Sequence, residues 1–289
     1  MEGLFDKLTD WIKELLIGMI EGNLTNMFSD VNEKVGTIAT EVGRTPQSWN
    51  SDVFSMIKNL SETVIIPIAG LVITFVLCYE LISMLIDRNN LHDIDTWMFF
   101  KWVFKAFVAI TIVTNTFDIV MATFDVGQHM VSNAAGVISS DTNIDIASSI
   151  VSMVEGLEEL GIAELIAISL ETTIVRFCMD ALSIVITVIL YGRMIEIYLV
   201  SSMAAIPMAT MANKEWGQIG NNYFRSLFAL AIQGFFIMVC VGIYSVLVKT
   251  IVVTDNIHAS IAMILTYTVL LCFSLFKTGS ISKSILNAH

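Results

Sequence analysis

Charge is scarce in this sequence, and basic charge scarcest of all. Only 15% of the 289 residues are Asp, Glu, Lys or Arg, 55% are hydrophobic, and the mean hydropathy is +0.76. A soluble domain of this length has too little interior to hide that much apolar surface, so the composition is that of a membrane protein. The 15 basic residues stand against 27 acids and leave a net charge of -12. This argues against a surface that grips nucleic acid, which needs a basic track with interleaved aromatics. The four cysteines, Cys78, Cys178, Cys240 and Cys272, all fall in apolar runs and read as small buried hydrophobes, not as a disulfide or metal framework. The histidines His92, His129, His258 and His289 have no ligand spacing. There is no His-Glu-x-x-His pair, no Gly-x-Ser-x-Gly elbow, no phosphate-binding glycine loop and no convergent His and acid. Catalytic, cofactor-binding and metal-binding residues are therefore not expected. The start, MEGLFDKLTDWIKELL, carries acids where a signal peptide needs a basic leader, so no cleavage is expected.

What the chain has is long apolar runs. A spanning helix takes about 20 mostly apolar residues. Five segments qualify: Val64 to Ile86, Trp102 to Met121, Leu170 to Tyr191, Leu227 to Val248 and Ile257 to Phe276. A sixth run, Met194 to Met211, is interrupted by Glu196, Ser201, Ser202 and Pro207 and reads as an interfacial or re-entrant helix broken near Pro207. The expected fold is all-α and polytopic, with five transmembrane helices plus amphipathic interfacial helices.

Charge asymmetry gives the threading, because short cytoplasmic loops collect Lys and Arg. The segment 124–169 has neither, yet carries Asp125, Asp141, Asp145, Glu155, Glu158, Glu159 and Glu164, which places it outside. Arg88, Lys101 and Lys105, then Arg193, Lys214 and Arg225, then Lys277 and Lys283, fall on the inside. Lys249 and the bases of the first 62 residues (Lys7, Lys13, Lys34, Arg44 and Lys58) run against the pattern. The expectation is an extracytoplasmic amphipathic segment over 1–62, a five-helix domain over 63–289, an outside loop 124–169 and an inside loop 192–226. The N-terminus is then outside and the C-terminus inside.

Near the start, Leu4, Leu8, Trp11, Ile12, Leu15, Met19 and Ile20 recur at helical spacing opposite Asp6, Lys7, Asp10, Lys13 and Glu14. This predicts an amphipathic helix lying on the outer leaflet or packing on another subunit, with Gly22 and Asn23 ending it. Thr45-Pro46 marks a turn, and a helix feeding the first span begins near Ser51. In the outside segment, Ile144, Ala147, Ile150, Val151, Val154 and Leu157 share a face of a surface helix that Gly161 ends.

Two constellations stand out. In the third span Ser169, Thr173, Arg176, Asp180, Ser183 and Thr187 alternate at intervals of four and three, which lays them along one helix face. Arg176 and Asp180, four apart, are placed to pair. Such a stripe either glues the helix to its neighbours or lines a wet passage or an intersubunit seam. Glu80, Thr111, Asn115, Asp118 and Gln233 are the polar groups of other spans, Glu80 and Asp118 lying near span ends where a carboxylate reaches water. The second constellation is the polar island PMATMANKEWGQIGNNYFRSLFALAIQGFF, from Pro207 to Phe236, in which Trp216 and Tyr223 are expected at headgroup depth.

The five-span pattern, this island and the preceding YGRMIEIYLVSSMAAI together resemble the TrbL family of conjugal transfer proteins, over roughly Glu62 to Ser280. In that family a tryptophan follows the central hydrophobic hairpin. Trp216 takes its place, with Arg193, Pro207, Gly217 and Asn221 nearby and Lys214 and Arg225 in the same loop. The resemblance implies a non-enzymatic, homo-oligomeric platform in the bacterial cytoplasmic membrane, part of a type IV secretion system. Secretion ATPases would lie below it and a stalk or pilus-like subunit above, with single-stranded DNA bearing its relaxase as the transported substrate. The alternative reading, from the stripe, is a small-solute channel or transporter, although five spans with one broken segment do not divide into the matched halves such folds show.

Overall fold

The computed structural model describes residues 2–86, 96–139, 146–251 and 257–288. Arg88, His92, Asp141, Ile144, Asp145 and His289 lie outside the described residues. Regular structure within them is helical, with no strand among the described residues. The helices are α1 (Glu2–Val42), α2 (Pro46–Trp49), α3 (Ser51–Leu60), α4 (Ile66–Ile86), α5 (Thr96–Thr114), α6 (Thr116–Ser139), α7 (Ile146–Glu155), α8 (Ile162–Ser202), α9 (Ala205–Thr210), α10 (Gly217–Ile251) and α11 (Ile257–Ile285). Among the described residues five stretches are long and apolar enough to cross a membrane: Ser51–Ile86, Thr96–Thr114, Ile162–Ser202, Gly217–Ile251 and Ile257–Ile285. The protein is a multi-pass, all-α membrane protein, and the run Met194 to Met211, split between the end of α8 and α9, supplies no further helix of spanning length among the described residues.

The chain divides into two compact units. The first holds residues 1–42, 131–190 and 237–277, and its core joins Ile20, Leu24, Met27, Phe28, Val31 and Ile38 of α1 to Leu165, Met179 and Ile186 of α8 and to Val241 and Ile264. Here the structure corrects the expected end of the first helix, because α1 runs through Gly22 and Asn23 to Val42. One glycine costs a helix about 1 kcal/mol relative to alanine. Burial of one large apolar side chain contributes about 1.5–3 kcal/mol, and the apolar spacing past Gly22 supplies several. The expected surface helix is thus a helix packed within its own chain from about Leu16 onward, while Leu8, Trp11, Leu15 and Met19 keep an exposed stripe.

The second unit holds residues 43–130, 191–236 and 278–289. Thr45 caps α2, its Oγ1 accepting from Ser48 N at 3.1 Å with Pro46 at the first helical position, where its missing N–H costs nothing. Asn50 caps α3 at Ser51 by accepting from Asp52 N and Val53 N. Tyr198 of α8 ties this corner down, donating its hydroxyl to Pro46 O at 2.6 Å, while Trp49 meets Tyr191 edge-on. Between α3 and α4 the backbone widens into a π turn at Ser61–Ile65. Pro67 one turn on has no N–H to give and its ring crowds the carbonyl behind it, and such a bulge relieves that.

The expected second span, Trp102 to Met121, is broken in the structure at Asn115, whose Nδ2 donates to Thr111 O at 2.8 Å and competes with the helix ladder. Helix α6 then continues to Ser139 through the stretch expected to be loop. In this unit Gly127 permits a close approach, since a Cβ there would lie 2.6 Å from the carbonyl oxygen of Ala231. The expectation that all four cysteines are buried holds in full only at Cys272; Cys178 and Cys240 are half-buried and Cys78 is exposed on α4.

Candidate functional site

Two polar assemblies follow from these elements, one in each unit. In the first, α1 runs alongside α8 so that its own polar residues meet the third-span stripe. Asn23, buried in α1, donates to Thr172 Oγ1 at 3.2 Å and to Thr173 Oγ1 at 3.1 Å, and its Oδ1 accepts from Arg176 at 3.3 Å. The expected Arg176–Asp180 pair does not form among the described residues. Arg176 instead finds a neutral acceptor on the neighbouring helix. Further along, Lys34 Nζ donates to the backbone carbonyl of Met179 at 3.3 Å. A cavity of about 240 Å³ opens there, lined by Asp30, Glu33, Lys34 and Thr37 of α1 and Asp180, Ser183 and Thr187 of α8. The structure thus gathers Thr173, Arg176, Asp180, Ser183 and Thr187 on the α1 side, and Ser169, itself buried, accepts through its carbonyl from Thr172 and Thr173.

Burial sets the charge states on α1. It pushes the Asp30 carboxyl up, with Lys34 pulling it back and Asp180 and Glu33 adding to the rise. It pushes the Lys34 ammonium down, against the opposing pull of Asp30 and Asp180. Both groups are therefore easier to neutralise in this seam than in water. Sequence reading found the α8 half and missed the α1 half, although the continuing apolar period Leu24, Phe28, Val31, Val35, Ile38 and Val42 marked a helix whose other face carries these groups.

The second assembly is the polar island, and the expected inside loop is mostly not a loop. Arg193 lies within α8, buried, donating to Leu230 O at 3.4 Å. Pro207 sits in the first turn of α9, where the helix needs no N–H from it, and the helix is broken on either side of it, at 203–204 and 211–216. Small residues let α9 fit against α4 and α5: Ala205, Ala209 and Ala212 are buried with Ala69, Ile73, Val76 and Ala106. Gly217 opens α10 and donates to Asn213 O at 2.8 Å. Gly220 is required by contact, because a Cβ there would lie 2.5 Å from Pro207 O and 2.2 Å from Met211 Cγ. Lys214, Asn221 and Arg225 are exposed.

Trp216 is held by stacking. Its ring lies 5.4 Å from Phe75 at 11° and 5.1 Å from Tyr79 at 20°, both on α4. Tyr79 donates to Glu215 at 3.1 Å. Behind the rings Glu80 uses both carboxylate oxygens, one accepting from Lys105 Nζ of α5 at 2.6 Å and the other from Asn213 Nδ2 at 2.7 Å. Asn213 in turn accepts from Glu215 N and Trp216 N. Glu80 therefore does not simply face water; it joins α4, α5 and the tryptophan turn. Asp118 is exposed and pairs with Lys58 at 3.3 Å. Nothing in sequence alone shows that residues 80, 105 and 213 meet.

The chain matches the family described as TrbL/VirB6 plasmid conjugal transfer like protein, over residues 31–205. The chain belongs to that family. The matched stretch runs from within α1 into α9 and takes in the α8 side of the seam, Glu33, Lys34 and Thr37 of its α1 side, and Arg193, whereas Asn23 and Asp30 precede it and Pro207, Trp216, Gly217 and Asn221, which carried part of the resemblance in the sequence, lie beyond it. No curated protein and no solved structure matches the chain. The TrbL/VirB6-like protein is accordingly a conjugal transfer, type IV secretion component.

Proposed function

We propose that this protein is a non-enzymatic platform or channel subunit of the conjugation machine, which helps move single-stranded DNA with its attached protein across the bacterial cytoplasmic membrane. The observation that carries the reading is the family match over more than half of a chain with five apolar spans. In this role the subunit works as a homo-oligomer, N-terminus outside and C-terminus inside. The tryptophan turn with Lys214 and Arg225 meets the secretion ATPases, and the exposed stripe of α1 meets a stalk or pilus-like subunit. The net charge of -12 supports a conduit that does not hold DNA tightly.

The test is complementation of a donor strain lacking this protein. Wild-type chain should restore DNA transfer, and the purified protein should run as a defined oligomer by native mass. Full transfer without the protein, or a strict monomer with no affinity for secretion partners, would reject the role. A cysteine at Ser149 should label from outside intact cells and one at Lys214 should not. The second reading, a small-solute passage, is favoured by the polar cavity between α1 and α8. It predicts solute flux in liposomes that disappears with Arg176→Leu.

A further inference from the structure

We infer that the groove between α5 and α9 binds one acyl chain of an anionic phospholipid, with the lipid phosphate taken by Lys105 and Lys101. The groove encloses about 380 Å³ and is walled by Phe104, Val108, Ala109 and Ile112 of α5 and by Met208, Met211 and Ala212. Its volume falls in the range of about 300–1,000 Å³ found for small-ligand sites.

Two features of this groove choose its occupant. The α5 wall belongs to a stretch apolar and long enough to cross a membrane, and Phe99, Phe100, Phe104 and Phe107 around it are exposed, so hydrocarbon chains are what this surface meets. The single cation among the lining residues is Lys105, and Val108, Ala109 and Ile112 follow it at helical spacing on the same face. An apolar slot about 10 Å long with a cation at one end, at 1.5 Å rise per residue, has the charge pattern of a lipid tail below a phosphate. Lys101 is one turn back on that face, exposed and beside Trp97, its Nζ 5.7 Å from the ring centroid. Glu80 occupies one donor of Lys105, whose side chain stays 42% exposed and has three protons to give. A bound phosphate shares that lysine with Glu80, which also holds Asn213, so lipid occupancy reaches the tryptophan turn through one carboxylate. This inference rests on the membrane spans and stands apart from the conjugation role.

The experiment uses the full chain in phosphatidylcholine vesicles doped with phosphatidylglycerol carrying a photoreactive acyl chain or, in parallel, with phosphatidylcholine carrying the same group. Adducts are mapped by mass spectrometry. Phosphatidylglycerol adducts should concentrate on residues 104–112 and 208–212 and exceed phosphatidylcholine adducts there by about fivefold for each lysine engaged. Lys101→Gln should lower that preference and Lys105→Gln should lower it further. Ala109→Trp fills the slot without touching the Lys105–Glu80 pair and should remove adducts of both lipids from it, which keeps the test decisive if Lys105→Gln does not fold. Equal labelling by the two lipids, labelling indifferent to Ala109→Trp, or protein–protein cross-links between copies at these residues in place of lipid adducts would each overturn the assignment.

Discussion

Glu80 in the second unit has both carboxylate oxygens engaged by side chains, whereas Lys34 in the first has a backbone carbonyl, Met179 O, as its hydrogen-bond acceptor. Around Lys34 stand Asp30, Glu33 and Asp180, which line a cavity in place of a filled network. Around Glu80 stand a lysine, an asparagine and a stacked tryptophan. The two assemblies have similar residue types and opposite degrees of pairing. A fully paired polar cluster holds one arrangement, because every displacement leaves a group unsatisfied. A loosely paired one with room beside it admits water, protons and alternative partners. The tryptophan turn is therefore expected to hold one arrangement, and the Lys34 end of the α1–α8 seam to be the more adaptable of the two.

The contrast makes its largest prediction at the paired end. Glu80→Ala strips Lys105 and Asn213 of their acceptor together and should cost about 3 kcal/mol in thermal unfolding of the detergent-solubilised protein. Glu80→Gln with Lys105→Met should recover most of it, and a neutral Glu80→Ala would end the idea that this cluster fixes the turn. Trp216→Ala removes two stacked ring pairs and should cost about 2 kcal/mol, with Trp216→Phe losing less than half of that. In the seam, Asn23→Ala takes three hydrogen bonds away and, at the low end for each, should cost about 1.5 kcal/mol, read as faster amide exchange confined to α1 and the facing part of α8. An equal loss at Asn23 and Glu80 would erase the distinction.

The smallest effect is the pH response. Asp30 has its carboxyl raised from 3.8, so the packed seam favours the protonated form. Its contribution to stability is whole at low pH and is lost as pH climbs through the raised value. Lys34, lowered from 10.5, contributes in the opposite sense, gaining as pH rises through its depressed value toward 10.5. Asp30→Asn should flatten the acid side of the pH–stability curve and leave the alkaline side in place. A variant with an unchanged acid limb would remove Asp30 from the account.

The spans were legible because membrane crossing imposes a length and an apolarity that composition alone reveals, and the two corners near residue 50 were legible because Thr45-Pro46 and Asn50 cap by local chemistry. The extent of α1 was misjudged at Gly22, where a local helix-weakening residue was weighed without the distant burial of Leu24, Met27 and Phe28 that outweighs it. Helix α6 was hidden because past Phe124 it mixes Asp125, Gln128, His129, Ser132 and Asn133 with two glycines, a composition that suits an exposed helix face as well as a loop. The α8 stripe was visible as a period, but its partner Asn23 was read as a helix terminator. In the island Trp216 was found and its supports were not, since Phe75, Tyr79, Glu80 and Lys105 come from helices more than a hundred residues away in sequence and no local pattern aims them at Asn213.

Gly127 has a consequence for how the second unit can deform. Where its Cα passes the carbonyl of Ala231, main chain lies against main chain, with no side chain between them to change rotamer. A contact of that kind cannot be loosened by small adjustments. Even a single methyl group inserted at residue 127 is therefore expected to wedge the two helices apart, since its nearest neighbour would be main chain that has no rotamer to change.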